Sequence, residues 1–106
     1  MEEPLFNEVI VLYLLRYSAH LRNSYNIMKV LSRKFKIIEF GEISGTLIKK
    51  KYIHKNVINQ MGHYSITASG ELFLLDNLTE FLQELRIKYL PNDPEYIQLI
   101  ISSSDK

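Results

Sequence analysis

Residues 52–74 read YIHKNVINQMGHYSITASGELFL, and the order of residue types in this stretch predicts a β-hairpin followed directly by a helix. The first part, residues 52–58, is rich in the β-branched and aromatic residues that favour strands. The next four residues are predicted to form the turn, with Gly62 supplying a positive φ if one is required, and residues 63–66 form the return strand. Thr67 is then placed as the N-cap of the next helix.

Three shorter helices are predicted before this hairpin. The first covers residues 5–17, which are apolar around nearly the whole axis, so we expect it at the centre of the domain. The second runs from an N-cap at Asn23 or Ser24 to about Phe35. The third covers about residues 39–51, with apolar residues at spacings of three and four. The predicted inner faces are Ile27, Met28, Leu31 and Phe35 in the second helix, and Phe40, Ile43 and Leu47 in the third.

Two glycines in the third helix call for an explanation. Gly41 and Gly45 each weaken a helix by roughly 1 kcal/mol relative to Ala. Close approach of another backbone would account for them, and so would an irregular first turn.

The longest predicted helix follows Thr67 and runs to about Leu90. Its leucines recur at steps of three and four residues, a heptad-like seam that we expect to contact a second copy of the chain, although both apolar flanks of the helix could instead belong to the core. Asp93 and Pro94 predict the start of a short fifth helix that reaches about Ile101, with a strand as the alternative, and residues 102–106 are expected to be disordered. The seam consists of Leu75, Leu78, Leu82, Leu85 and Tyr89, and a second apolar flank consists of Leu72, Phe73, Leu74 and Phe81.

Length and composition limit the classes of protein to consider. The chain has 106 residues, 46% of them hydrophobic, which fits a single domain with one core. It contains no cysteine, which excludes disulfides, thiolate metal sites and thiol nucleophiles and favours a reducing compartment. The longest apolar run, Val9 to Leu15, is far shorter than a membrane span, so we expect a cytoplasmic protein with no membrane partner.

The net charge of +1 conceals an uneven distribution. Residues 1–15 sum to −3, residues 16–55 to +8 and residues 56–106 to −4. A basic middle segment between acidic ends is typical of a face that binds a polyanion, although scattered surface lysines that keep the protein in solution would give the same sum.

Two segments carry a resemblance to a known family. Residues 47–53, Leu-Ile-Lys-Lys-Lys-Tyr-Ile, place a leucine and charged residues before a small hydrophobic pair. Residues 64–74, Tyr-Ser-Ile-Thr-Ala-Ser-Gly-Glu-Leu-Phe-Leu, fit the pattern YxLTxxGxxFL. In both segments the sequence resembles the winged helix-turn-helix regulators, particularly the PadR-like and MarR-like groups, over about residues 5–90.

The resemblance implies a mostly α fold with a small β-hairpin, in the order α1, α2, α3, hairpin wing, long α4 and short α5. Residues 1–106 then form one winged-helix domain. Within it, residues 5–67 are the helix-turn-helix and wing, and residues 68–101 are a C-terminal helical dimerisation element.

The corresponding function is sequence-specific binding of double-stranded DNA by a transcriptional regulator acting as a homodimer. The third helix would enter the major groove, and the hairpin 52–66 would act as the wing. The candidates for contact with base edges are Glu42, Gly45, Thr46 and Lys49; for contact with phosphates, Arg33, Lys34, Lys36, Lys50, Lys51 and Lys55; for contact by the wing, Asn56, Asn59, Gln60 and His63.

A winged-helix module that binds protein instead of DNA is the alternative. Glu39, Glu42 and a wing tip without Lys or Arg favour it, and fold alone does not decide between the two. An enzyme is not expected, because the sequence holds no phosphate-binding glycine loop, nucleophile elbow or zinc-protease motif. His54 and His63 are predicted on opposite strands of the hairpin without a third ligand, so no metal and no cofactor is expected.

Overall fold

A computed structural model describes residues 1–18 and 22–88 of the chain. In these ranges it contains four helices and one hairpin: α1 Glu3–Tyr17, α2 Ser24–Phe35, α3 Phe40–Lys49, β1 Ile53–Ile58, β2 Met61–Ile66 and α4 Ala68–Lys88. The predicted mostly helical class with a small antiparallel hairpin is confirmed. The predicted fifth helix and the tail 102–106 lie outside the described residues.

Helix α1 forms the centre of the core. Seven of its fifteen residues are buried, on all sides of the axis, as the sequence predicts. Its main neighbour is α4, where the ring of Phe81 lies 5.2 Å from that of Phe6 and 5.3 Å from that of Tyr13. Among the described residues, no helix combines the length and the apolar character that crossing a membrane requires.

Helix α2 begins as predicted, because the side chain of Asn23 accepts a hydrogen bond from Asn26 N–H at 2.8 Å. It ends where Lys36 adopts a left-handed conformation, with φ 59°, and Ile37 N–H donates to Leu31 O at 2.9 Å. One prediction for this helix is wrong: Met28 is 49% exposed. The buried stripe of Ile27, Leu31 and Phe35 is narrow, and Met28 lies just outside it.

Helix α3 is shorter than predicted and ends at Lys49. The chain turns away at Lys51, which has φ 64°, and Tyr52 N–H returns to Leu47 O at 3.0 Å. The core stripe of α3 is confirmed, since Phe40, Ile43 and Leu47 are buried. A close backbone approach does not explain the two helix glycines, because a Cβ at Gly41 or Gly45 would meet no atom within 4 Å.

The hairpin has a tighter turn than predicted. Strand β1 pairs with β2 from Ile53↔Ile66 to Ile58↔Met61, leaving Asn59 and Gln60 as a two-residue turn. Both have positive φ, 51° and 66°, as type I′ turns require. The prediction that Gly62 supplies the positive φ is therefore wrong: Gly62 lies within β2, opposite Val57.

Arg22 and Asn23, just before α2, pair through their backbone with strand β2 of the hairpin. Tyr64 N–H donates to Arg22 O at 2.8 Å, and an isolated bridge joins Asn23 to His63. The bridge fixes the hairpin against the start of α2, and the edge-on contact of Phe40 with Tyr64, at 5.3 Å, fixes it against α3.

Candidate functional site

The exposed face of α3 carries all four residues predicted to contact base edges. Glu42, Gly45, Thr46 and Lys49 are exposed, whereas the opposite face is buried in the core. Ile48, 39% exposed, lies at the margin of the same face. The only cation on this face is Lys49, in the last turn of the helix.

A cleft lined by carboxylates lies beside α3. Glu39 and Glu42 line a cleft of about 390 Å³ together with Glu3 and Glu8 of α1. Acidic residues at the start of a helix and a lysine at its end match the helix dipole. Negative charge is therefore concentrated at the N-terminal end of α3 and positive charge at its C-terminal end.

The six residues predicted to contact phosphates do not form one group. Lys50 is in an ion pair, with its Nζ 2.8 Å from Glu8 Oε1. Lys51 is exposed at the exit of α3, and the ammonium group of Lys55 lies 5.8 Å from the ring centre of Tyr64. Lys50 and Lys51 follow the C-terminal end of α3, whereas Lys55 lies on β1 beside Tyr64, which contacts Phe40 at the start of α3.

The remaining phosphate candidates lie on or just after α2. Arg33 is exposed and lines a groove with Phe40, at the N-terminal end of α3. Lys49 lies nine residues after Phe40, about 13 Å further along the axis of α3. Lys34 is half-buried, and Lys36 is exposed at the end of α2. The cations thus flank the two ends of α3, with the acidic cleft beside its first turn.

The predicted wing residues occupy the turn and one face of the hairpin. Asn56, Asn59 and Gln60 are exposed, whereas His63 is half-buried beside Asn23. His54 is paired with Ser65 and not with His63, so the two imidazoles are offset along the hairpin. The described ranges contain no group of three potential metal ligands.

The tip of the hairpin is apolar, a feature that the sequence analysis missed. Val57, Ile58 and Met61 are exposed at 67%, 51% and 38%. Ile58 and Met61 are directly paired beside the turn, and Val57 projects from the other face. Alternation from the buried Ile53 could have identified Ile58 and its partner Met61 as exposed, because both lie on the opposite face; it gives no such signal for Val57.

The predicted dimer seam on α4 is divided between core and solvent. Leu85 is 2% exposed and belongs to the core, so it is not available to a second copy, and Leu78 is half-buried. Leu75 and Leu82 are 60% and 39% exposed, and Tyr89 lies outside the described residues. In the second flank Leu74 and Phe81 are core, but Leu72 is 65% exposed. Leu72, Leu75 and Leu82 lie on one side of α4, and we call them the outer leucine stripe.

A further surface lies between α2 and the segment that leads to α3. It is a groove of about 370 Å³, which we call the α2 groove. Three of its side chains are large, apolar and exposed: Tyr25 at 62%, Met28 at 49% and Ile38 at 77%. Sequence reasoning missed it because Met28 was assigned to the core. The lining residues are Tyr25, Met28, Lys29, Ser32, Arg33, Ile37, Ile38 and Phe40.

Comparisons of the chain with protein-family models, curated proteins and solved structures gave no match.

Proposed function

We propose that this chain is a winged helix-turn-helix protein that binds double-stranded DNA as a homodimer and regulates transcription. One observation carries the proposal. Helix α3 buries Phe40, Ile43 and Leu47 and leaves Gly45, Thr46 and Lys49 to solvent, directly before a hairpin. Helix-turn-helix proteins present their recognition helix in this way, with one face packed and the other free to enter the major groove.

The side chains on the exposed face of α3 have chemistries that suit base edges. Lys49 donates to the guanine acceptors O6 and N7, the Thr46 methyl contacts the thymine methyl, and Glu42 accepts from cytosine N4. Gly45 leaves room for the close approach of a base, because no atom of residues 1–18 and 22–88 beyond the neighbouring backbone lies within 4 Å of its Cβ position. Lys51, at the exit of α3, and Lys55, on β1, contact phosphates.

The outer leucine stripe supports the homodimer part of the proposal. Leu72, Leu75 and Leu82 form an apolar row on a helix whose other side is already packed on α1. A single module of this size offers little area for DNA, and pairing places two copies of α3 on successive major grooves. Sedimentation tests this part: the wild-type chain is expected to be a dimer at micromolar concentration, and a Leu75→Asp/Leu82→Asp variant a monomer.

The salt dependence of binding to random duplex DNA tests the DNA part of the proposal. Fluorescence anisotropy with a labelled 30-base-pair duplex gives the dissociation constant at several salt concentrations. A chain with a few phosphate contacts loses affinity as a power of the salt concentration, with a slope of about −0.9 per contact. Absence of binding at the lowest salt concentration would overturn the proposal.

Binding of a protein partner is the second candidate function, and specific surfaces favour it. The hairpin tip presents Val57, Ile58 and Met61, and the start of α3 lies beside four carboxylates. Apolar side chains clustered on a surface are typical of protein contacts. Ile58→Ser/Met61→Ser separates the candidates, because it leaves every cation in place. Unchanged binding to random DNA, together with loss of a partner captured by the wild-type chain, would favour the protein-binding function.

A further inference from the structure

We propose that the α2 groove is a docking site for residues 93–101 of the same chain, Asp-Pro-Glu-Tyr-Ile-Gln-Leu-Ile-Ile. The inference is independent of DNA binding. It rests on the shape and lining of the groove, on the charge at its rim, on the composition of the segment and on where α4 ends.

The α2 groove has the surface of a binding site for an apolar segment. Ile37 and Phe40 are buried, at 7% and 3% exposed, whereas Tyr25, Met28 and Ile38 are among the most exposed large apolar side chains of the described residues. Apolar surface is driven to leave water, so a concave patch of this kind is stabilised when another apolar segment covers it. The side chains of Tyr25 and Met28 reach this groove from successive turns of α2.

Two cations that have no carboxylate partner among the described residues lie at the rim of the groove. Lys29 and Arg33 are one turn apart on α2, and both are exposed. Within residues 1–18 and 22–88, neither forms an ion pair. The groove therefore favours an occupant that combines apolar side chains with carboxylates.

Residues 93–101 have that composition. Asp93 and Glu95 supply two carboxylates, and the segment contains no cation. Five of the nine residues are large and apolar: Tyr96, Ile97, Leu99, Ile100 and Ile101.

The end of α4 places this segment within reach of the groove. The ammonium group of Lys88 lies 5.1 Å from the ring centre of Phe6, and Glu84 Oε1 lies 3.4 Å from the amino group of Met1. The same end of α1 lines a cleft with Glu39, which follows Ile38 of the groove. About eight residues join Lys88 to Tyr96 and span up to about 26 Å when extended.

A cysteine pair in the full-length chain tests this placement directly, because the wild-type sequence contains no cysteine. The variant Ile38→Cys/Ile97→Cys is treated with oxidised glutathione, which becomes reduced as the two thiols form a disulfide. We expect an intramolecular disulfide, seen as a faster monomer band on a non-reducing gel and a mass loss of two hydrogens. The matched control is Val57→Cys/Ile97→Cys, because Val57 is comparably exposed, at 67%, on the hairpin tip. Its intramolecular disulfide should form at least tenfold more slowly.

Charge reversal at Lys29 and Arg33, on the rim of the groove, provides a second test. Adding Lys29→Glu/Arg33→Glu to the cysteine pair should slow formation of the disulfide several-fold, and adding Asp93→Lys/Glu95→Lys as well should restore the rate. Equal rates for the groove and hairpin pairs, or a disulfide that joins two chains, would overturn the proposal. The latter result would assign the groove to a second copy.

Methyl NMR on the otherwise unaltered chain gives an independent measurement. The chain has three methionines, and Met28 lines the groove whereas Met61 lies at the hairpin tip. Ile97→Asp should shift the Met28 methyl resonance and leave that of Met61 in place. An unchanged Met28 resonance would contradict the docking of residues 93–101.

Discussion

Gly70, in the first turn of α4, lies directly against the main-chain carbonyl group of Tyr52, just before the first strand of the hairpin. A Cβ at position 70 would overlap that carbonyl oxygen and lie 2.8 Å from Ile66 Cγ1. Thr67 N–H donates to the same Tyr52 oxygen at 3.0 Å. The exit of α3, the base of the hairpin and the start of α4 thus meet at one junction, and glycine is required there because any side chain would separate them.

Gly70→Ala is therefore expected to destabilise the fold. The added methyl must displace the Tyr52 backbone, and overpacking of this kind destabilises a protein by about 1–3 kcal/mol. This loss exceeds the stabilisation gained from the higher helix propensity of alanine. Urea unfolding followed by circular dichroism measures the change. Gly45→Ala is the matched control, because its Cβ meets nothing within 4 Å and should stabilise α3 by up to about 1 kcal/mol. A Gly70→Ala variant as stable as wild type would contradict the close contact.

The Thr67 hydroxyl contributes to the same junction through two hydrogen bonds. It donates to Lys51 O at 2.7 Å and accepts from Gly70 N–H at 3.0 Å. Thr67→Val keeps the shape and removes both bonds, so we expect a loss of about 1–2 kcal/mol in unfolding free energy. Thr67→Ser retains the hydroxyl and should lose much less. A Thr67→Val variant at least as stable as Thr67→Ser would show that the two hydrogen bonds contribute little to the stability of the junction.

Local sequence patterns predicted the elements that meet at this junction but not the contact itself. Asn23 and Thr67 were identified as N-caps because capping depends on residues within one turn of the helix. The need for glycine at position 70 arises from Tyr52, eighteen residues earlier, and only the folded chain brings the two together. The left-handed conformation of Lys51 has the same origin, since Tyr52 N–H must return to Leu47 O.

A substitution in the hairpin turn should raise the stability of the chain, whereas Gly70→Ala and Thr67→Val should lower it. Gln60 has φ 66°, a conformation that costs most residues about 1 kcal/mol and glycine almost nothing. Gln60→Gly creates Asn-Gly, the sequence that type I′ turns prefer, and should stabilise the chain by about 0.5–1 kcal/mol. Thermal unfolding checks this. Val57→Gly is the control, because glycine within a strand weakens it. A destabilised Gln60→Gly variant would mean that the turn does not lie at Asn59 and Gln60.

Local sequence patterns gave a wrong position for this turn and a wrong interface for part of the seam on α4. In both cases a tertiary contact decides the outcome. Turn chemistry favoured Gly62, but the pairing of Ile53 with Ile66 at the buried end of the hairpin fixes the register and moves the turn to residues 59–60. In α4, leucine spacing identified two apolar flanks without indicating which faces α1. Burial of Phe81 against Phe6 fixes the rotation of the helix, which buries Leu85 and exposes Leu75.

The ion pair between Lys50 and Glu8 leads to a prediction about the proposed DNA surface. Because Lys50 Nζ lies 2.8 Å from Glu8 Oε1, its charge is already balanced, whereas Lys51 is exposed and has no ion pair among the described residues. Lys51→Gln should reduce the magnitude of the salt slope of DNA binding by about 0.9, the value of one phosphate contact. The double variant Glu8→Gln/Lys50→Gln removes the ion pair without changing net charge, and it should leave both slope and affinity unaltered.

Glu8→Gln alone supplies the decisive comparison. It releases Lys50 from its partner and removes one negative charge near the end of α3, so affinity for random DNA should rise. Its effect on the unfolding free energy should be small, about 0–1 kcal/mol, because half of the Lys50 side chain is open to water and exposed ion pairs contribute little. If DNA draws Lys50 away from Glu8, the double variant will instead bind more weakly than wild type. The phosphate contacts would then include Lys50, as the charge pattern of the sequence predicts.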